Sequence, residues 1–529
     1  MLGTNHSTNV SRTAMALPQR QRNALPTLTR WVVFFSLALC FYFFRSCLSP
    51  INSFTGNFDV NCFYMLGKAV CHGYVPYVDV TDVKGPCLFL FYALGYALGH
   101  TTCVMLLFVI CLTLTLEALY RIARIYLQHE GWSLLATIFP LLMLCNPAYT
   151  SGSTALGGRA EGIILPLLAW GLYAALRYLR TARRCDLYRA AAVLGSTGAC
   201  IFLIKFNNVL PPAAAALLLL MVAIRRQESI ATGCRYVLLG LLCFVLPILG
   251  MGVVLAAWGA LESCIDTYFI ANLFSLRPIE GKSLLATRVI SLVFRSPASS
   301  LCTLCALLLP ACTSKLCSKL PPADILLFLL WGVTSVLASH YIHVYYFIVT
   351  VPMGIVPGIV VCHALQRHYF LRLPMAYACL FALFLTAMSY GRDIENGLIR
   401  LGKHQQPKQA YQQLEQRVSQ VQNAKLIYLN FLDAGLGLSS ESLPACTHWM
   451  HTNGTAHIGV AEREDCIRKR IPDFIITLPH KNAIPLEYGS HPDMSQGTWL
   501  QQCGYVNSIP NNEGLSLWER AESTAAQTP

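Results

Sequence analysis

Twelve apolar runs divide this 529-residue chain, at 31–49, 86–98, 103–120, 132–148, 162–179, 187–204, 209–224, 236–258, 299–314, 323–339, 344–362 and 373–390. A helix needs about 20 apolar residues, and about 17 as a working minimum, to cross a bilayer core. Most of the runs meet or approach that length, so a polytopic α-helical membrane protein is expected. Only 12% of the residues are charged and 55% are hydrophobic, against about 25% charged in an ordinary soluble domain. That composition excludes a soluble globular class. The formal charge of +13 does not call for nucleic acid, because much of it sits in short clusters beside apolar runs, where it orients a membrane protein.

Five basic connections carry those clusters: Arg121/Arg124, Arg177/Arg180/Arg183/Arg184/Arg189, Arg225/Arg226/Arg235, Lys315/Lys319 and Arg367/Arg372. Cytoplasmic loops attract such residues. All five share a side with the polar tail 1–30, which holds Arg12, Arg20, Arg22 and Arg30, only if one early run does not cross. The shortest run, 86–98, follows Lys84-Gly85-Pro86 directly, so it is expected to dip into the outer leaflet. This leaves about 11 transmembrane helices in a catalytic domain spanning 31–390, with surface helices in the first external loop. The tail 1–30 is then cytoplasmic, in the inner (cytoplasmic) membrane, and no removed signal peptide is expected. Loops 50–102, 149–161 and 259–298 and the C-terminus fall outside the cytoplasm. Leu284, Leu285, Ile290 and Val293 suggest a membrane-surface helix in the last of these loops. Beyond Tyr390 the chain turns polar, and 391–529 reads as a small extracytoplasmic α/β domain. Gln405, Gln406, Gln409, Gln412 and Gln413 suggest a helix there, and Lys425-Leu-Ile-Tyr-Leu and Asp473-Phe-Ile-Ile-Thr-Leu two buried strands.

A polar island from Asp59 to Pro86 concentrates acid–base chemistry beside the membrane, with Asp59, Asp79, Asp82, Lys68 and Lys84. Desolvating a carboxylate there is costly, so its presence points to function. Phe58, Cys62, Met65, Leu66 and Ala69 share one helical face, which predicts a helix lying on the membrane with Asp59 at its start. Asp59 is either a general base or a helix cap, and the two roles are compatible. Asp82 with Lys84 is either an acid and a phosphate-holding cation or a local pair that orders the loop. Arg159 and Glu161 precede the 162–179 run, and Lys205, Asn207 and Asn208 end the 187–204 run. Arg159, Lys205 and Asn207 are candidate contacts for a phosphate or sugar, with an interfacial pair and a snorkelling lysine as the plainer accounts. His340, His343 and Tyr345 join two runs on the outer side. Histidines three apart can share a helix face and bind metal, but no carboxylate lies near, so hydrogen bonding to substrate is expected. No metal and no cofactor is expected.

Of 22 cysteines many lie within apolar runs, where they act as small hydrophobes. Cys62 with Cys71, and Cys446, Cys466 and Cys503 among themselves, could pair in an oxidising compartment; the spacing leaves the pairing open.

The string Asp59-x4-Tyr64-x2-Gly67 … Gly73-x2-Pro76-Tyr77-x-Asp79-x2-Asp82-x-Lys84-Gly85-Pro86 resembles the opening loop of bacterial GT-C glycosyltransferases. These include the protein-mannosyltransferase-like and lipid A aminoarabinose-transferase-like enzymes (family 39-type). The resemblance is closest over 50–165, continues through 390 and does not extend into the C-terminal domain. It implies an acidic base in the first external loop, matched by Asp59, and a second acidic position, matched by Glu161 where many relatives carry Asp. It also implies a hexosyl- or pentosyltransferase that moves a sugar from a polyprenyl phosphate to an envelope glycan, lipid or protein acceptor. Catalytic roles would fall to Asp59, Glu161 and Asp82, and the leaving phosphate would be met by Lys84, Arg159 or Lys205. Two other readings stand beside this one: a transporter or flippase of lipid-linked saccharides, and an O-antigen-type polymer ligase. Transporters often show repeated halves and broken midplane helices, whereas here the acids gather in an external loop.

Overall fold

The computed structural model describes residues 27–51, 58–127, 129–144, 157–275, 321–338, 344–369, 409–429, 436–450, 459–477, 497–512 and 515–521. The expected spans at 299–314 and 373–390, the surface helix near 284–293, and His340 and His343 lie outside them. Six stretches of helix among the described residues are long and apolar enough to cross a membrane, and two shorter apolar helices accompany them. In chain order the membrane part comprises α1 (Thr27–Arg45), α2 (Phe58–Cys71), α3 (Pro86–Tyr126), α4 (Glu130–Leu144), α5 (Ala160–Thr181), α6 (Arg184–Lys205), α7 (Leu210–Arg225) and α8 (Ile230–Ala257). A π-helical segment, Ile265–Ser275, follows. Then come α9 (Pro322–Ala338) and a 3-10 stretch, Val344–Gly354, that runs into α10 (Ile355–Tyr369).

The long α3 is two helices. Gly99 and His100 leave helical geometry, with φ of 157° and 58°. A Cβ on Gly95 would come within 2.4 Å of Val104, so 86–98 folds back against the residues that follow and only the second part runs through the bundle. The sequence expectation for 86–98 rests on charge parity alone; the physical device is the Gly99–His100 break with a bare glycine at the close approach.

Three of the five basic connections are tied together by buried acids; Lys315, Lys319 and Arg372 of the other two lie outside the described residues. Arg30 and Arg121 both reach Glu117 at 2.8 Å. Arg177 meets Asp186 at 2.9 Å, and Arg180 meets Asp324 at 2.7 Å. Arg184 reaches Glu228, and Arg226 donates to the Leu179 carbonyl. These contacts bring the start of α1, α6, α8 and α9 and the end of α3, α5 and α7 to one face. At the opposite face Arg45 at the end of α1 donates to the Leu144 carbonyl at the end of α4. There, too, Gly85 donates to Ile204, and Asn207 to Ala338. Leu238, Leu241, Leu246, Leu249 and Val253 of α8 are exposed, as suits a helix that faces lipid.

The polar C-terminal part contains α11 (Gln409–Val418), β1 (Lys425–Leu429), β2 (Leu443–Pro444), α12 (Val460–Arg468), β3 (Phe474–Thr477), α13 (Gly497–Gln502), β4 (Tyr505–Asn512) and β5 (Leu515–Arg520). The strands form one sheet in the order β2-β1-β3-β5-β4. β1 lies parallel to β2 and β3, while β3, β5 and β4 are antiparallel. Both strands and the glutamine-rich helix expected from the sequence are present.

This part sits on α2. Lys68 Nζ donates to the carbonyls of Gly437 and Ser440 at 3.0 and 2.7 Å. Tyr74 donates to Pro444, Tyr96 to Glu441 and Thr447 to Val78. As a result α2 is buried from Val60 to Ala69 all round, not on the single stripe that its periodicity predicts. Its second face is covered by residues nearly four hundred positions later, which no local pattern reveals.

Two outcomes check this architecture. A reporter active only in the cytoplasm, fused after Pro529, should give no signal, since the sheet packs at the face opposite the arginines. Lys68→Met removes charged hydrogen bonds worth about 1.5–3 kcal/mol. Limited chymotrypsin digestion should then cut 409–521 faster than in the wild type, with membrane insertion unchanged.

Candidate active site

Each acid of the island has a distinct local origin. Asp59 lies in the first turn of α2, half-buried. After α2 the chain reverses through Gly73 and Tyr77, both at positive φ. Asp79 Oδ2 accepts from the Val75 amide at 2.7 Å, and Tyr77 donates its amide to Val80. Asp79 is thus exposed and occupied in shaping the turn. Asp82 is 6% exposed, directed inward by the same turn.

The Lys84-Gly85-Pro86 string is fixed by a close approach. The Gly85 amide donates to Ile204 at 3.0 Å, and a Cβ there would lie 2.1 Å from the Leu203 carbonyl oxygen. Only glycine fits, and Pro86 then opens α3 at a position that needs no amide hydrogen. Tyr77 donates to the Lys84 carbonyl at 2.6 Å, and Asn272 of the π-helical segment donates to Val83 at 2.8 Å. The loop is therefore pinned to the end of α6, where Lys205 stands.

Within this frame Lys84 Nζ lies 3.8 Å from Asp82 Oδ1, and Cys62 Sγ donates to Asp82 Oδ2 at 3.8 Å. Burial pushes the Asp82 carboxyl above its usual range, although Lys84 pulls it back, and Asp59 pushes it further up. For Lys84 burial disfavours the cation, yet Asp82, Tyr346, Asp59 and Glu161 outweigh it and hold the ammonium protonated.

The N-terminus of α5 supplies a further acid. Gly157 and Gly158 both have positive φ, at 129° and 88°. Side chains there would strike Ser46 of the α1 end and Val60 of α2. Tyr92 of α3 donates to the Gly158 carbonyl. Arg159 is 8% exposed and opens on a cleft lined by Phe41, Tyr42, Leu144, Gly162, Leu165 and Ile348. Glu161 is 2% exposed and accepts from Lys205 Nζ at 2.6 Å. The Lys205 ammonium also lies 3.5 Å from the centre of the Tyr346 ring, a cation–π contact.

The structure thus brings together Asp59, Asp82, Lys84, Arg159, Glu161 and Lys205. Asn207 is used elsewhere, on the Ala338 carbonyl, while Asn208 is 1% exposed with neither end of its amide paired. Tyr345 lies in the 3-10 stretch next to Tyr346, which sequence reasoning passed over. Tyr77, Cys62 and Asn272 were also missed; the Pro76-Tyr77 pair was the one signal that could have found any of them. Cys62 and Cys71 lie nine residues apart on one helix, roughly 13 Å, and a disulfide spans Cα atoms about 6 Å apart; they do not pair. Among the described residues no group of three or more His, Cys, Asp or Glu side chains could hold a metal.

The fold of this chain is similar to that of solved structures. The ArnT structure from Cupriavidus metallidurans bound to undecaprenyl phosphate matches with a TM-score of 0.57 and 13% identity, over 94% of this chain and 99% of that one. The apo state of the same protein matches with a TM-score of 0.58, 13% identity and the same coverage. The Archaeoglobus fulgidus oligosaccharyltransferase AglB, in complex with an inhibitory peptide and a dolichol-phosphate, matches with a TM-score of 0.45 and 10% identity, over 94% of this chain and 74% of that one. No curated protein sequence matches. The fold is thus similar to that of ArnT over nearly the whole of both chains. Residues 19–373 match the competence-induced protein Ccs4 N-terminal domain, and the chain belongs to that family.

Proposed function

We propose that this protein is a membrane glycosyltransferase that moves a sugar from a polyprenyl-phosphate donor to an acceptor hydroxyl at the outer face, with Asp59 as general base. The observation that carries the reading is a pair of lysine–carboxylate contacts at one end of the bundle, Lys84–Asp82 at 3.8 Å and Lys205–Glu161 at 2.6 Å, with Asp59 in the first turn of the neighbouring α2. The fold similarity to ArnT, solved bound to undecaprenyl phosphate, supports the choice of a lipid-phosphate donor.

The chemistry follows from the charges. Attack of the acceptor oxygen on the anomeric carbon releases a proton from the nucleophile and leaves negative charge on the lipid phosphate. Asp59 is the least buried of the three acids and stands at the entrance, where an acceptor can reach it; its carboxylate takes the proton. Asp82, raised by burial and faced by Lys84, orients that lysine. Lys84 and Arg159 meet the leaving phosphate, where fixed cations in a dry site stabilise developing charge strongly. Glu161 holds Lys205 in place, and Lys205 adds its charge from the α6 side. A phosphate leaving group needs no metal in this scheme. The acceptor is an envelope glycan, lipid or protein, seated between the mouth and the C-terminal sheet. The lipid-linked donor enters from the bilayer.

Purified protein in detergent, given a lipid-linked sugar and no gradient, should turn the donor over; a transporter would not. Asp59→Asn keeps shape and capping ability but cannot accept a proton. Turnover should fall at least about 100-fold, the lower end for loss of a general base, while thermal stability stays near wild type. Wild-type-like turnover would remove Asp59 from the mechanism and leave Asp82 as the base.

Lys84→Met should act differently. The apparent KM for the lipid donor should rise about tenfold or more, the value of one charged hydrogen bond. Lys84→Arg should recover part of that loss, since the charge is kept.

A further inference from the structure

The C-terminal sheet carries a thiol pair that the proposed transfer reaction does not use. Cys446 directly follows the short β2 strand and is half-buried, and Cys466 on α12 is 3% exposed. Cys466 Sγ lies 3.6 Å from the carbonyl oxygen of Ala445, the neighbour of Cys446. The two thiols are neighbours, each shifting the other's ionisation, Cys446 upward and Cys466 downward. Both pack into the apolar cluster formed by Ile427, Leu429, Ile467 and Leu500. Cys503 reaches the edge of the same cluster, but the charged groups beside it are Arg468, Arg470 and Glu464, and its carbonyl accepts from Arg470 Nε at 3.0 Å. Of the three cysteines the sequence left open, the geometry selects one pair.

The position of that pair matters more than its presence. The Ala445 amide donates to Leu426, which seats the segment on β1. Thr447, next to Cys446, donates its hydroxyl to the Val78 carbonyl at 2.7 Å, in the loop that leads to Asp82 and Lys84. The Thr447 amide donates to Glu462 Oε1 at 2.9 Å, and His448 Nδ1 meets Glu462 Oε2. Glu462 and Cys466 lie one helical turn apart on α12, so both grip the 445–448 segment from the same side. This segment is the bridge between the sheet and the loop.

We propose that Cys446 and Cys466 form a disulfide in the oxidising compartment outside the membrane, locking the 445–448 segment onto α12 and holding Thr447 against the loop that bears Asp82 and Lys84. The electrons go to a thiol-oxidising protein of that compartment. One cysteine thiolate attacks the oxidant's disulfide, a mixed disulfide forms and the oxidant's second sulfur leaves as a thiolate. The other cysteine thiolate then displaces the oxidant from the mixed disulfide. Two protons and two electrons end on the oxidant, which departs as a dithiol, and one S–S bond remains in the protein. Transfer of the sugar and formation of this bond are independent claims, and the test below does not use turnover.

Cells making the full-length protein are treated with N-ethylmaleimide before lysis. The protein is purified, denatured without reductant, digested and mapped by mass spectrometry. The expected result is a peptide pair joined through Cys446 and Cys466 that is lost on reduction, with Cys503 alkylated. Cys446→Ser should leave Cys466 alkylated, and Cys503→Ser should leave the 446–466 link intact. Alkylation of both Cys446 and Cys466 without prior reduction would overturn the proposal, and so would a link from either one to Cys503. A second readout follows the consequence. Reduction of the wild type should raise deuterium uptake in the 73–85 loop at least about twofold, and Cys446→Ser should show that uptake without reductant. A linked protein whose loop is indifferent to reduction would overturn the locking role.

Discussion

A carboxylate buried beside lipid must be neutralised by a neighbour, and where this protein puts the neighbours determines its architecture. At one face every buried acid is met by arginine: Glu117 by Arg30 and Arg121, Asp186 by Arg177, and Asp324 by Arg180. Guanidinium offers a planar fork to carboxylate and stays charged when desolvated. These pairs tie helix ends together. Breaking a buried pair by removing one member costs about 3–5 kcal/mol, so this face is built to be fixed. At the other face the buried acids are met by lysine: Asp82 by Lys84 and Glu161 by Lys205. An ammonium is a point charge on a flexible stem, so it can turn from a carboxylate to an arriving phosphate with little rearrangement. The two faces use the same kind of buried acid for opposite ends.

The geometry of the reactive face depends on close backbone approaches more than on the charged residues themselves. Gly85 sets the loop on α6 with no space for a Cβ, and Gly158 lets α5 meet α2 with equally little. Each brings a charged neighbour, Lys84 in one case and Arg159 in the other, to a place its own element could not reach. A methyl group at either glycine would separate the acids from the lysines before it affected the membrane core.

Much of this was legible in the sequence, for physical reasons that also set the limit. Apolar length and arginine placement predict a helical membrane protein and the side of each connection, because the bilayer imposes both. Charge parity singles out 86–98, where the structure has a break at Gly99 and His100, and the turn residues mark the loop between Cys71 and Pro86. The strands at Lys425 and Phe474 show as short apolar runs. What could not be read was anything that depends on distant pairing. Glu117, Asp186 and Asp324 look like ordinary charges until their arginines are seen. The second covered face of α2 depends on Gly437 and Ser440, and Tyr346 meets Lys205. Periodicity says which face of a helix is apolar; it does not say how many partners that helix will have.

The sheet's grip on the loop explains why a polar C-terminal part belongs to a membrane fold at all. A loop that carries Asp82 and Lys84 must stay ordered at a surface where water competes for every hydrogen bond. Its own turn contributes a few backbone bonds, and α6 one more through Gly85. The remaining constraint comes from Lys68, Tyr74, Tyr96 and Val78, each joined to the stretch between Leu436 and Thr447. Three of the four are side chains of α2, α3 or their connection, so the sheet holds the loop through the helices on either side of it. Movement of the sheet would therefore reach the carboxylates as a tilt of α2, which begins at Asp59. If Asp59 is the general base proposed above, an acceptor seated against the sheet would act on it through the same lever.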